Sequence, residues 1–476
     1  MRKLFWVILI LPHFNLAQNA FFKSYGGTGN DIGENVISTK DGGFCMIGAT
    51  ESFGNGLTDL YVIKTDEYGV VEWHSTFGGP NIDYGKSIVE TNDSSFIACG
   101  YSNSLNLDYD IFVVKMDKHG NHIWTKRFGG SDWDFSSQIK ASKFDLNHYF
   151  IAGDSYSNSM GNNDAIVLKI NDNGDLIWMH KFGGDLNDVY SDINEDVNGD
   201  LYCIGTNESI YQNNRLWISK LDQNGDTVWN YYLSDTNSFG QSLSIVNQKI
   251  IYSGRVRVFN QNDQFIQNNY IAGSIINNSS QDFTVNYPYH STYNKSSIVN
   301  VTKKPNSNEY YLVGNYNDGV NDNMIFYASL LNQTQQDSRV KGNGNDYAHN
   351  ADTILGSNDL IITGKTEETN LGYYDVFLSK TNGFNWSTSF VNNELLHIID
   401  KKQPNFYLYP NPVAEILNIS PNGNRKQFYI FNESGYLVKK IDGNTSQIDV
   451  SRLKKGVYFL STKMNAEKNS VCFMKL

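Results

Sequence analysis

Asp31, Asp83, Asp134, Asp188 and Asp346 each close a short glycine-rich stretch, in YGGTGND, FGGPNID, FGGSDWD, FGGDLND and KGNGND. One carboxylate per repeat falls on one face of a ring, and two chemistries are open to it. Exposed, the set is an acidic ring that collects a cation or a cationic partner. Buried, each carboxylate accepts backbone and hydroxyl hydrogen bonds and pins its own loop. The second role is expected, because a residue present in every copy serves the copy. Recognition belongs where copies differ, and the irregular stretch 255–269 (RVRVFNQNDQFIQNN) is the expected binding edge.

Other candidate chemistry is sparse. NDNGD at Asn171–Asp175 opens like a calcium loop, but its twelfth position is Phe182, where that loop needs a bidentate carboxylate. A hairpin turn is expected there, with calcium the minor alternative. His119 and His122 flank a turn with no third ligand, which reads as a solvated turn rather than a metal grip. There is no Gly-x-Ser-x-Gly elbow, paired-His zinc helix or nucleotide-binding glycine motif. No catalytic, cofactor-binding or metal-binding residue is therefore assigned, although a site assembled from several repeats would leave no local trace. Cys45, Cys99 and Cys203 sit in the same strand of three different repeats and Cys472 in the tail, so free thiols buried in packing are expected.

The elements that would position these residues recur with a period of about 50, each copy holding four short strands, which marks a β-propeller blade. Gly48, Gly100, Gly153, Gly205, Gly254, Gly314 and Gly364 close the same strand in successive copies and count seven of them. The apolar strands are nearly continuous (FIACG, IFVV, AIVLK), as strands covered on both faces must be. DEYG, DKHG, NDNG and DQNG are turns ending in a left-handed glycine. The Gly-Gly pair is expected to supply backbone angles closed to side chains as the chain crosses between blades. Trp73, Trp124, Trp178, Trp229 and Trp386 lie on outer strands and are expected to pack. Phe21–Tyr25 (FFKSY) has the form of such an outer strand but precedes the first copy, so it is expected to join the last blade and close the ring.

The chain has 476 residues and a net charge of -12, which argues against nucleic acid, whose binding needs clustered Lys and Arg. Met1-Arg2-Lys3, the apolar Leu4–Leu11 and a small residue at Ala17 read as a signal peptide over 1–17, with no membrane span after its cleavage. The expected organisation is all-β: a seven-bladed β-propeller over 18–390, a linker at 391–403, and a small C-terminal β-sandwich over 404–476. The tail carries Tyr409-Pro410-Asn411-Pro412, then Leu417 and Ile419, Gly435, Leu453 with Gly456-Val457-Tyr458, and a last strand ending at Lys475. With that order of residues it resembles the type A C-terminal sorting domain of the type IX secretion system.

The resemblance implies transit through the periplasm and export to the outer surface. The implied partners are the secretion machinery and a sortase-like peptidase that removes the tail, leaving the cargo anchored to surface lipopolysaccharide or released. The repeats, over 21–390, resemble secreted propeller repeats joined to such tails, which implies a fold and no substrate. Asp226-Thr227-Val228 and Asp352-Thr353-Ile354 also match the short O-glycosylation acceptor pattern of such exported proteins. The expected function is a surface or secreted binding module for glycan or protein, without catalysis. The alternative is a propeller enzyme: a polysaccharide lyase, a hydrolase or a quinoprotein-like oxidoreductase.

Overall fold

The computed structural model describes residues 20–381 apart from 105–107, 235–236, 247–248, 260–264, 277–296, 306, 308, 317–323, 332–333, 341–344, 355 and 368–373. It also describes 393–395, 407–409, 415–420, 427–432, 437–442, 447–461 and 470–475. The chain divides into two compact units, Met1–Leu395 and Leu396–Leu476.

In the first unit, short antiparallel sheets follow one another around an axis, each through one repeat. Blade one runs from Asp31–Ser38 to Val71–Phe77, blade two from Asp83–Glu90 to His122–Phe128, and blade three from Asp134–Ala141 to Leu176–Phe182. Blade four runs from Asp188–Glu195 to Thr227–Tyr232. Blade five has three strands among the described residues, Ser238–Val246, Lys249–Phe259 and Phe265–Ile276, and blade six runs from Ser297–Lys303 to Thr334–Val340. These are six blades of consecutive strands, where seven were expected. Among the described residues the last copy supplies three strands of its own. Its strands Asp346–Thr353, Leu360–Thr366 and Asp375–Lys380 form a composite sheet with Phe21–Tyr25 and Asn393–Leu395 from outside the copy.

The reason is closure. The apolar interior lies between sheets rather than within them, so an open array would leave two sheets with a bare face. Cys45, Leu60 and Val62 of blade one meet Ile88, Phe96 and Phe112 of blade two, and like slabs join the later blades. Phe21–Tyr25 lies antiparallel on Asp375–Lys380, with Phe22 stacked on Phe377 at 5.0 Å between centroids. Tyr25 donates its hydroxyl to the Gly69 carbonyl of blade one at 2.8 Å. Asn393–Leu395, inside the stretch expected as linker, adds a parallel strand on the far side. Trp386 lies outside the described residues.

Register explains the counting glycines. The innermost strand of every sheet carries a β-bulge, at Glu34, Lys86, Ser137, Ser191, Gln241, Val299 and His349. A bulge kinks its strand and drives the preceding carbonyl toward the partner strand. A Cβ on Gly48, Gly100, Gly153 or Gly205 would fall on the carbonyl oxygen of Ile32, Tyr84, Phe135 or Val189. Crowding also accounts for Gly-Gly, joined by a positive φ of 156° at Gly183. A Cβ on Gly78 would meet the carboxylates of Asp59 and Asp83, and one on Gly79 the side chain of Ser104; Gly129 and Gly130 repeat this with Asp110, Asp134 and Ser157. The hairpin glycines do need positive φ, at 74° for Gly69 and 79° for Gly120.

Among the described residues, the second unit holds two sheets. Tyr407–Tyr409, Ile416–Ser420 and Gln447–Asp449 form one, and Gln427–Asn432, Leu437–Asp442, Gly456–Ser461 and Ser470–Lys475 the other. Leu417, Ile419 and Ile448 of the first pack with Phe428, Ile430, Tyr458 and Leu460 of the second, which makes a sandwich.

Candidate functional site: the axial channel

The bulges do more than kink. Each turns one side chain toward the axis, and these residues line a cavity of about 300 Å³. Repeated structure thus presents an unrepeated set: Glu34, Lys86, Ser137, Ser191, Gln241, Val299 and His349. Sequence reading missed them, though the signal was there. Five of the seven, Glu34, Lys86, Ser137, Ser191 and His349, stand three residues after a repeated aspartate.

Glu34 and Lys86 of the cavity are paired. Lys86 Nζ lies 3.0 Å from Glu34 Oε2, and the Tyr84 hydroxyl donates to Glu34 Oε1 at 2.7 Å. Burial pushes the Glu34 carboxyl up, but Lys86, His349 and Tyr84 together outweigh it and hold it below its usual range. His349 Nδ1 donates to the Gly33 carbonyl at 2.9 Å, and burial pushes the ring below its ordinary value despite Glu34. The residues just after the bulges tie the sheets to one another. Asn35 and Ser87 both donate to Gln138 Oε1, and Gln138 Nε2 donates to Asp192 Oδ1 at 3.3 Å. Asp192 Oδ2 in turn accepts from Ser242 Oγ and Leu243 N, both at 3.0 Å. Asn35 Oδ1 accepts no hydrogen bond among the described residues, an orphaned acceptor in the cavity wall.

Two residues before each bulge, a second ring of side chains is partly exposed. It includes Ile32, Tyr84, Phe135, Val189, Phe239 and Tyr347. Their register partners on the next strand are Ala49, Tyr101, Asp154, Thr206, Arg255 and Lys365. Arg255 and Arg257 lie over the Phe239 ring at 5.0 and 4.7 Å. These arginines open the stretch 255–269, whose described residues pair as two strands of blade five.

The predicted aspartates lie elsewhere, each the first residue of an innermost strand, and the fold does not bring them together. All five are buried. Asp31 Oδ2 accepts from Gly27 N at 2.8 Å and Ser52 Oγ at 2.6 Å. Asp83 does the same with Gly79 and Ser104, Asp134 with Gly130 and Ser157, and Asp188 with Gly184 and Ser209. Asp346 accepts from Thr366 Oγ1 at 2.6 Å. The first four carboxylates pin their loops, and all five are withheld from solvent.

The remaining candidates are local structure. Asn171 Oδ1 accepts from the backbone of Asn173 and Asp175 and shapes its turn. His122 Nε2 is 2.8 Å from Thr125 Oγ1, and no group of three metal-ligating side chains occurs among the described residues. Cys45, Cys99 and Cys203 are buried free thiols. Trp73 and Trp124 donate to the Lys118 and Asp172 carbonyls in the turns of the next blade. Asp226-Thr227-Val228 is exposed, whereas Ile354 of the second acceptor pattern is buried.

In the tail, Tyr458 is buried and its hydroxyl donates to the Lys454 carbonyl at 2.9 Å, closing the turn between Leu453 and Gly456. Tyr409 and Gly456 lie in strands. Pro410, Asn411, Pro412 and Gly435 lie outside the described residues, as does the expected signal peptide. Among the described residues no helix is long and apolar enough to cross a membrane.

Residues 407–474 match the secretion system C-terminal sorting domain family. That domain implies the type IX secretion machinery as partner, and export to the cell surface or the medium. No curated protein matches the chain. Among solved structures, the chain is similar to PorZ of Porphyromonas gingivalis, described as an essential bacterial surface component of the type-IX secretion system. The identity is 11% and the TM-score 0.39, over 91% of this chain and 58% of that one. It is also similar to Sqt1 from Chaetomium thermophilum, at 9% identity and TM-score 0.38, over 72% of this chain and 81% of that one.

Proposed function

We propose that the exported propeller is a non-enzymatic binding module for a glycan or protein, and that it takes its ligand at the mouth of the axial channel. On this reading a signal peptide directs the chain to the periplasm, and a sortase-like peptidase removes the tail at the cell surface. The observation that carries the proposal is the bulge ring, in which an otherwise regular scaffold delivers one variable side chain per sheet to one polar cavity. Rigid strands that present variable groups to a shared concavity are what recognition requires. A propeller enzyme would instead need a free acid–base pair. Here Glu34 is held by Lys86 and Tyr84, and His349 donates to a backbone carbonyl. The test is a screen of the purified secreted protein against immobilised glycans and surface proteins, with Lys86→Met as the comparison. A retained ligand whose affinity falls in Lys86→Met supports the proposal. Polysaccharide cleavage that disappears in His349→Ala establishes the enzyme in its place.

A further inference from the structure

In most sheets the residue before the buried aspartate and a residue just past the second strand share one backbone hydrogen bond. Glu51 N donates to Asn30 O, Asn103 N to Ile82 O, Tyr156 N to Trp133 O, Glu208 N to Asn187 O, and Glu367 N to Asn345 O. The positions are therefore equivalent, and their side chains can be compared directly. In three sheets they form an asparagine–glutamate hydrogen bond: Asn30 to Glu51 at 2.8 Å, Asn187 to Glu208 at 2.6 Å, and Asn345 to Glu367 at 2.7 Å. In blade three the same two positions hold Trp133 and Tyr156, with their rings edge-on and 6.0 Å apart.

That exchange is one of several on the same side of blades two and three. Tyr109 stands perpendicular to Trp133 at 6.0 Å and to Tyr101 at 5.6 Å. Phe135 fills the angle between Tyr109 and Trp133. Tyr101 stacks on Tyr84 at 5.3 Å with the planes 2° apart, and Tyr84 reaches Glu34 in the channel. Six rings thus run from the surface to the charged wall of the cavity. Blade one has Ile32, Ala49 and Thr58 where blade two has Tyr84, Tyr101 and Tyr109. The blade fold does not need the aromatics.

A core does not need them either. Trp133 is 48% exposed, and the other five rings are only partly buried. An exposed, mutually braced aromatic cluster is costly to keep in water and is the usual form of a contact surface. Its surroundings indicate the occupant. Asp132 is exposed beside Trp133, and Asp154, held by Asn163 at 2.9 Å, lies between the Phe135 and Tyr156 positions. Carboxylates and phenols at the rim of apolar ring faces match a ligand with C–H faces and a rim of hydroxyls. They repel a polyanion, as does the chain's net charge of -12.

We propose that Trp133, Tyr109 and Tyr156 form a stacking platform for a neutral glycan chain, whose sugar rings lie on the aromatic faces and lead toward the channel. This rests on the reading of the propeller as a binding module and names its ligand class. The platform supplies the stacking faces, and Asp132 and Asp154 accept sugar hydroxyls.

The test uses the full secreted protein and a Trp133→Asn/Tyr156→Glu variant, which installs the pair already present in three sheets and so keeps the fold, checked by an unchanged melting temperature. Both are titrated with cellohexaose, xylohexaose and mannohexaose, and with polygalacturonate as a charged control. The expected result is that one neutral series binds the parent protein and loses about tenfold or more in affinity in the variant. Equal glycan affinity in the two proteins overturns the platform and leaves the binding-module reading standing. Binding of polygalacturonate alone, or of none of the four, overturns the neutral-glycan assignment. A defined protein partner that binds through Trp133 does so too, while supporting the broader reading.

Discussion

At the scale of single residues, burial and pairing decide what each carboxylate does. Glu34 is held ionised by its partners, whereas Asp154, with one asparagine for a partner and Asp134 nearby, does not escape the effect of burial and is pushed up to about 6. An acid whose folded value lies above its unfolded one stabilises the fold only while the proton stays on. Its contribution is complete below about pH 4 and is lost as pH rises through 6, amounting to at most about 3 kcal/mol. Asp154→Asn should therefore melt higher than the parent at neutral pH and show a flatter melting profile between about pH 4 and 6. If melting of the two proteins follows the same pH profile, Asp154 is not protonated in the folded state. The lysine of the third strand behaves in the opposite sense. Burial lowers Lys64, yet its bonds to Glu72 and Asp41 more than restore it, so it clamps the Asp41 turn to the strand Val71–Phe77.

At the scale of elements, the bulge and its opposing glycine act as a unit. Gly100→Ala would set a methyl group against the Tyr84 carbonyl, and relief requires the innermost strand to flatten. The expected cost is about 1–3 kcal/mol. It should come with displacement of Tyr84 and Lys86, visible as a changed tyrosine signal in near-ultraviolet circular dichroism. An alanine variant with unchanged melting and spectrum would remove the link between glycine and bulge. This pairing also marks how far the sequence could be read. Strand-closing glycines, hairpin turns and the displaced outer strand Phe21–Tyr25 were all legible, because each repeats a local pattern with a steric or apolar cause. The channel residues were not, because a bulge leaves no residue type of its own behind, and Glu34, Lys86 and His349 resemble any polar positions of a strand. The Gly-Gly loop was located correctly, but backbone angle is only part of its reason: Gly183 has a positive φ, while the first glycine of each pair also leaves room for two carboxylates and the second for a serine.

At the scale of the whole molecule, closure and export set the remaining expectations. Phe22 is 1% exposed and stacks on Phe377, so Phe22→Ala should cost about 3–5 kcal/mol. Because each interior slab is shared by two sheets, the loss should appear as one cooperative shift of the unfolding transition. A separate early transition would show that the sheets melt independently. The tail poses the complementary case. Its core of Leu417, Ile419, Phe428, Ile430, Ile448, Val450, Tyr458 and Leu460 is drawn from the tail alone, and the slabs of the propeller are drawn from residues before 395. Among the described residues, deleting 404–476 removes no side chain from a propeller slab, and the remaining protein should keep its melting temperature to within a few degrees. What it loses is the address. The truncated protein should accumulate in the periplasm, protected from protease added to intact cells, while the parent is cleaved or found in the medium. A truncated protein that still reached the surface would place the export signal in the propeller, and one that failed to fold would make the tail part of the fold.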